Sequence, residues 1–312
     1  MTVAARQRPL LGIALIVLMA TCFAAMETTI RWLGGALPVL LMLTARYAFQ
    51  AVSMGLWLAL DPRRSFRAAH PRFQALRGLL LLITSGFSFF GVQLMPVPEF
   101  TAINMLTPVL VTLLAAWLLK EEVSRRRWAL VCGGFVGAII VIRPGSGLFG
   151  WAVLFPIACA CSYAAFQTLT SRLAALESPY TTHFWTGFTG TAMLLPLLLL
   201  SPVDLGATFA AATPRQLSLL LLIGALGTGG HLMLILAIGI APTATLMPFV
   251  YTQIAAAAGF GWVVFRTLPD AWGWVGMAVI TACGATSAWL NVRHASRTRR
   301  PDSAVSADAV VE

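Results

Sequence analysis

Ten long apolar runs separated by short polar breaks constrain this chain more than anything else in it. They fall at about 10–32, 38–60, 76–95, 99–119, 128–143, 148–171, 183–200, 217–239, 243–265 and 272–290. A helix of roughly 20 apolar residues crosses the hydrocarbon core of a bilayer. The breaks hold the residues that stop helices: Asp61-Pro62, Pro96, Arg143-Pro144-Gly145, Ser201-Pro202, Pro242 and Pro269-Asp270. Composition agrees, with 59% apolar and only 10% charged residues and a mean hydropathy of +0.84. Too few polar side chains remain to cover a soluble surface, so a soluble enzyme, a disordered chain and a secreted disulfide scaffold are excluded. Cys22, Cys132, Cys159, Cys161 and Cys283 all lie in apolar runs without a CxxC spacing, and read as small hydrophobes. Cys159 and Cys161 are two residues apart and point to different helix faces.

A net charge of +10 raises the question of nucleic acid, and its placement answers no. Arg and Lys sit in the breaks, as topology signals do. With the N-terminus in the cytoplasm, sixteen fall inside, among them Arg6, Arg8, Arg63, Arg64, Arg67, Arg72, Arg77, Lys120, Arg172 and Arg293. Four fall outside (Arg31, Arg143, Arg215, Arg266), and Arg46 is intramembrane. Both termini are therefore expected in the cytoplasm. The start of the chain looks like a signal peptide, but no soluble domain follows, and it reads as an uncleaved first span. The polar stretch after Arg293 reads as a disordered tail.

An internal repeat is legible. A shift of 144 brings Pro98 onto Pro242, Thr101 onto Thr245 and Trp128 onto Trp272; a shift of 140 brings Ala24-Ala25 onto Ala164-Ala165. Five spans per half make the second half enter upside down. The expected fold is all-α: a polytopic membrane protein with ten transmembrane helices in two inverted five-helix repeats. Its parts are a cytoplasmic segment 1–9, a first repeat 10–143, a second repeat 148–290 and a cytoplasmic tail 291–312. Inverted repeats are a transporter architecture, with the site near the midplane where the halves meet.

Polar residues inside the spans mark that site, because they are costly in lipid and usually face an interior or a cavity. Glu27 lies in the outer half of span 1 and Arg46 at a similar depth in span 2. They read either as a substrate or proton site or as an ion pair joining the two spans. Thr101, Asn104 and Pro108 share one helix face in span 4; Tyr163, Gln167 and Thr170 share one in span 6. His231 follows Thr228 by three residues in span 8, and Tyr251 and Gln253 follow Pro248 in span 9. Hydroxyls and amides also serve as interhelical glue. The candidates for substrate binding are Glu27, Arg46, Asn104, Tyr163, Gln167, His231 and Tyr251, with Phe90 as a further aromatic for stacking. His183, near the inner end of span 7, reads as interfacial. Gly133 and Gly137 form a GxxxG and read as close helix packing. Gly227-Thr228-Gly229 lies inside an apolar run and is not a nucleotide loop. There is no HExxH, GxSxG or Walker A sequence, so no catalytic or metal-binding residue and no cofactor is expected, and any transport must run without an ATPase of its own.

The order of motifs resembles the EamA-type transporters of the drug/metabolite transporter superfamily. The first half carries Phe89-Phe90, Met95-Pro96, Ala102-Ile103, Pro108, Leu119-Lys120-Glu121-Glu122, Arg127-Trp128, Gly134-Phe135-Val136-Gly137 and Arg143-Pro144-Gly145. The second carries Gly230-His231, Ala241-Pro242-Thr243, Pro248-Phe249-Val250-Tyr251, Gly261-Trp262 and Pro269-Asp270. Glu27 with Arg31, and Ala45-Arg46-Tyr47, are similar to the branch of S-adenosylmethionine and riboflavin uptake carriers. One departure is Arg266-Thr267, where the second repeat often has an acid; the first-half equivalent, Glu122, is kept. The resemblance implies a central cavity lined mainly by spans 1, 3, 4, 6, 8 and 9. It implies a bacterial inner-membrane secondary transporter for a small organic metabolite, S-adenosylmethionine-like or riboflavin-like, working by alternating access. Export of amino acids or drugs on the same fold is the alternative; a membrane-embedded enzyme or a structural membrane protein is the alternative of another class. The partners are a small-molecule substrate and the lipid bilayer, no nucleic acid, with a homodimer compatible.

Overall fold

The computed structural model describes residues 8–61, 65–119, 125–143, 146, 148–173, 178–241 and 243–298. Residues 1–7 and 299–312, Lys120-Glu121-Glu122, Pro144-Gly145 and Pro242 lie outside the described residues, and with them parts of three motifs and most of the expected disordered tail, whose first residues to Thr298 are instead helical.

Among the described residues every regular element is a helix. Without water, a backbone amide in lipid must find its partner within its own segment, and a helix does that for each residue. The elements are α1 (Pro9–Leu33), α2 (Val39–Ala59), α3 (Pro71–Leu94), α4 (Val97–Asn104), α5 (Thr107–Leu119), α6 (Arg125–Ile142), α7 (Leu154–Leu173, after a 3-10 turn at Gly150–Val153), α8 (Pro179–Leu200), α9 (Leu205–Ala211), α10 (Pro214–Ile240), α11 (Thr243–Val250), α12 (Thr252–Phe265) and α13 (Ala271–Thr298). Among the described residues, seven helical stretches are long and apolar enough to cross a membrane, and shorter apolar helices fill 97–111 and 128–142. Each of the ten apolar runs is helical, although those at 99–119 and 243–265 are broken in two.

Local chemistry sets the ends. Pro9, Pro71, Pro179 and Pro214 each open a helix, where the missing N–H costs nothing and the fixed φ suits the first turn. Thr213 and Gln216 close a reciprocal capping box on α10: Thr213 N–H donates to Gln216 Oε1 at 2.8 Å, and Gln216 N–H to Thr213 Oγ1 at 3.3 Å. Short α9, capped by Asp204 Oδ1 accepting from Ala207 N–H at 2.9 Å, buries no residue, which is why hydropathy gave no sign of it.

The break between α4 and α5 follows from Pro108. It has no N–H to give to the carbonyl four residues back, that of Asn104. The Thr107 hydroxyl donates to that carbonyl instead, at 2.7 Å. In the second half, Pro248 lies inside α11 and the helix stops at Val250, with Tyr251 between the two pieces.

The helices pack in a definite set of pairs. α1 lies against α10 and against the α11/α12 pair. α3 lies against α7, and α7 against the α4/α5 pair. α2 packs on α8 and α10, α3 on α8, and α6 on α13. The α6–α13 contact is close because glycines face each other: a Cβ on Gly137 would stand 3.0 Å from the Gly276 carbonyl oxygen, and one on Gly133 would stand 2.6 Å from Cys283 Sγ. The GxxxG reading holds. Cys159 is buried and Cys161 is exposed, as their spacing requires.

Candidate functional site

Glu27 stands on α1 where that helix meets α4 and α12. It is 4% exposed. Thr101 of α4 donates its hydroxyl to Glu27 Oε2 at 2.8 Å, and the Gln253 side chain of α12 supplies a second hydrogen bond. Thr101 and Gln253 are themselves buried, each beside the break in its own helix. The break lets a polar side chain turn inward without an orphaned backbone carbonyl reaching lipid.

Arg46 is 1% exposed and belongs to a different group of neighbours. Its guanidinium carbon lies 4.6 Å from the Tyr47 ring centre, and the Tyr47 side chain shares a hydrogen bond with it. Gly227 of α10 leaves the room it occupies: a Cβ there would stand 2.8 Å from Arg46 Nε and 3.1 Å from Met26 Sδ. Arg46 Nε and Nη1 have no hydrogen-bond partner. Glu27 and Arg46 do not form an ion pair among the described residues. The choice that the sequence left open goes to separate environments.

The remaining candidates divide. His231 is buried beside the Arg46 group, its ring 4.9 Å edge-on from Phe23 and 6.2 Å from the ring of His183. Neither of its nitrogens has a partner. Tyr163 hydrogen-bonds Gln167 one turn along α7 and stacks on Phe166 at 5.6 Å, within electrostatic reach of Arg46. Asn104 ends α4 with its Oδ1 buried and unpartnered. Tyr251 is not brought to this group. Its ring abuts Gly284 of α13, and Gln253 takes the inward position. Two residues on, a helix has turned by about 200°, so only one of the pair can face α1. Phe90 is 48% exposed on the outside of the bundle.

Arg77 and His183 were misplaced by their position near run ends. Arg77, counted among cytoplasmic loop residues, is 3% exposed within α3. Its Nε donates to Thr170 Oγ1 at 2.8 Å, and its Nη1 to Thr186 Oγ1 at 2.5 Å and the Thr182 carbonyl at 3.3 Å, with the Phe166 ring 4.6 Å from its guanidinium carbon. His183 is buried, not interfacial. Gln50 Nε2 lies 3.2 Å from its Nδ1 and donates to its carbonyl at 2.9 Å, while Nε2 faces the Thr228 carbonyl at 3.3 Å. That pattern fits a ring with its proton on Nε2.

A second cluster closes the end of the bundle where α1 finishes. Arg31 donates to the carbonyls of Val92, at 3.0 Å, and Met95, and so caps α3. Gln93 Nε2 returns a bond to the Ile30 carbonyl at 2.6 Å. Arg143 and Asp270 are 2.6 Å apart and join the end of α6 to the start of α13. Glu99 lies within electrostatic reach of Arg31, Arg143 and Asp270.

The sequence has named relatives. The EamA-like transporter family matches residues 10–143. A riboflavin transporter of Rhizobium johnstonii is 27% identical over 94% of this chain and 95% of its own. An S-adenosylmethionine uptake transporter of Rickettsia prowazekii is 22% identical over 77% of this chain and 79% of its own. A pseudopaline exporter of Pseudomonas aeruginosa is 23% identical over 88% of this chain and 95% of its own. One crystal structure superposes with a TM-score of 0.63 at 19% identity, covering 92% of this chain and 97% of its own, and shows that the fold occurs in a solved protein. The chain is a multi-pass helical membrane protein with transporters as relatives along nearly its whole length, and its residues 10–143 match the EamA-like transporter family.

Proposed function

We propose that the chain is a secondary transporter of the bacterial inner membrane, moving a small organic metabolite by alternating access, with Glu27 as the principal charged group of a central site. The observation that carries this is Glu27 itself. A carboxylate buried in a membrane protein costs roughly 2.5–3.5 kcal/mol on insertion scales unless something answers it. Here two neutral hydrogen-bonding groups hold it, from helices broken beside it, and no arginine does. Discontinuous helices around a midplane charge are how secondary transporters build substrate and coupling-ion sites.

Two inverted repeats, 10–143 and 148–290, give the ten-span architecture of this reading. The packing pairs support it. Exchanging spans 1 to 5 with spans 6 to 10 turns α1 on α10 into α7 on α3. It turns α1 on α11/α12 into α7 on α4/α5, and α2 on α10 into α8 on α3. The pairs α2–α8 and α6–α13 map onto themselves. Both termini lie in the cytoplasm in this reading, since the arginine bias stays large without Arg77. The riboflavin and S-adenosylmethionine relatives favour uptake of a heteroaromatic metabolite, with Tyr163 placed to meet a planar or cationic group. The pseudopaline exporter favours the opposite direction on the same fold.

The test is a thermal-shift screen of purified protein with riboflavin and S-adenosylmethionine among the compounds, then counterflow in proteoliposomes. A bound ligand raises the melting temperature by mass action. Counterflow of a hit by the wild type and not by Glu27→Gln is the expected result. Counterflow that survives Glu27→Gln ends the assignment of that residue, and a hit that binds but is never exchanged ends the transport reading.

A further inference from the structure

We infer that Arg46, Thr228 and His231 form an oxyanion subsite at the centre of the bundle, which takes a carboxylate or phosphate group of the transported molecule. This rests on the transport reading above and names the chemistry that one end of its site selects.

Two buried arginines invite the comparison that carries the inference. Arg77 has partners at its Nε and Nη1: three oxygens accept from them, an aromatic face lies against it, and it ties α3 to α7 and α8. Arg46 is as deeply buried, yet its Nε and Nη1, which present three N–H bonds, meet no acceptor. Among the described residues neither guanidinium has a carboxylate at ion-pairing distance; the one such pair is Arg143 with Asp270. An arginine without an anion in lipid is expensive, and the tyrosine ring at 4.6 Å offsets only part of that. The orphaned groups converge. Thr228 Oγ1 and both nitrogens of His231 are buried without partners on α10, on the turn that carries Gly227 against Arg46 Nε. The neighbouring His183 shows the contrast, since Gln50 and the Thr228 carbonyl satisfy its ring. A hydroxyl, an imidazole and a guanidinium fork are the donor set that binds an oxyanion.

The acidic end of the site lies a short way off. On α7, Cys159 is within electrostatic reach of Glu27, and Tyr163 is within reach of Arg46 and Arg77. A substrate carrying both a cationic and an anionic group would meet a complementary charge at each end.

The test uses purified full-length protein and two arms. In the first, melting is compared in sulfate and in chloride at matched ionic strength. Sulfate should raise the melting temperature of the wild type and leave Arg46→Gln unmoved. In the second, binding is compared within two matched pairs: S-adenosylmethionine against its decarboxylated analogue, and riboflavin 5′-phosphate against riboflavin. In at least one pair the member with the oxyanion should bind about tenfold tighter or more, as a hydrogen-bonded charge allows. Arg46→Gln should erase the preference. Thr228→Val, which keeps the shape, should reduce it several-fold and serves if the arginine variant does not fold. Equal binding within both pairs, or a preference that survives in the variants, overturns the inference. A sulfate effect without a preference assigns the site to a free inorganic anion and overturns it too. Normal preference without counterflow leaves this subsite standing and removes the transport reading instead.

Discussion

Glu27 and Arg46 are both buried, but different neighbours hold them, and this makes a sharp prediction. Sites that share no partner add in their effects on stability to within about 0.3–0.5 kcal/mol. In a double-mutant cycle of Glu27→Gln and Arg46→Gln, read by thermal melts, the coupling should therefore fall within that range. A structural ion pair would instead show a large coupling, because each single change would strand a buried charge. The same two residues were legible in the sequence because charge in an apolar run is rare and expensive. Two other buried groups were less so. Arg77 lies one residue inside its apolar run and His183 is the first residue of its own, yet α3 and α8 start earlier, at Pro71 and Pro179. The proline, which favours the first helical turn, was the available signal and would have moved both residues inward. Tyr251 and Gln253 could not be separated, since the phase of α12 depends on where the helix breaks.

At the scale of the element, glycine positions show how the helices approach each other. Gly137 of α6 and Gly276 of α13 bring two backbones together with no side chain between them. Gly137→Ala should destabilise the protein by about 1–3 kcal/mol, since the new methyl would stand 3.0 Å from both Ile280 N and the Gly276 carbonyl oxygen and backbone cannot step aside. Gly86→Ala in α3 is the control. A Cβ there meets nothing within 4 Å, so the change should be neutral or stabilise by up to about 1 kcal/mol through helix propensity. Equal losses in melting temperature for the two would contradict the packing.

The junction of α6 and α13 also carries a charge device at the bundle end. Asp270 caps α13 by accepting from Gly273 N–H at 2.8 Å, and that bond, with Arg143 beside it, holds its carboxyl below the usual range. A folded-state value below the unfolded one stabilises the protein above the unfolded value, and this contribution is lost as pH falls through the folded one. The melting temperature of the wild type should therefore exceed that of Asp270→Asn near neutrality. The gap should close in acid, at and below the ordinary carboxylate range. The group is solvated, so the gap should be small. A gap that widens in acid would reverse the assignment.

For the whole molecule, an all-helical membrane fold was readable from the apolar runs, because lipid admits so few backbone solutions. Which helices pack together was not legible in the sequence. Among other places, the first and second halves of the chain meet at the bundle end that holds Arg31, Glu99, Arg143 and Asp270. There the Arg31 guanidinium of the first half lies 5.5 Å from the centre of the Phe265 ring of the second. If one repeat rocks against the other, this contact must open and close in every cycle, and the helix pairs packed between the halves must shift with it. A variant with Cys22, Cys132, Cys159, Cys161 and Cys283 replaced, and with Arg31→Cys and Phe265→Cys added, allows the halves to be tied by a short bifunctional thiol reagent. Counterflow should stop on cross-linking and return when a cleavable linker is reduced, whereas either cysteine alone, treated the same way, should leave the rate largely unchanged. The two halves would then be moving bodies, with the Arg31–Phe265 contact as their gate on that side. Undiminished exchange by the cross-linked protein would mean that this end stays closed throughout, and that substrate reaches Glu27 and Arg46 by another route.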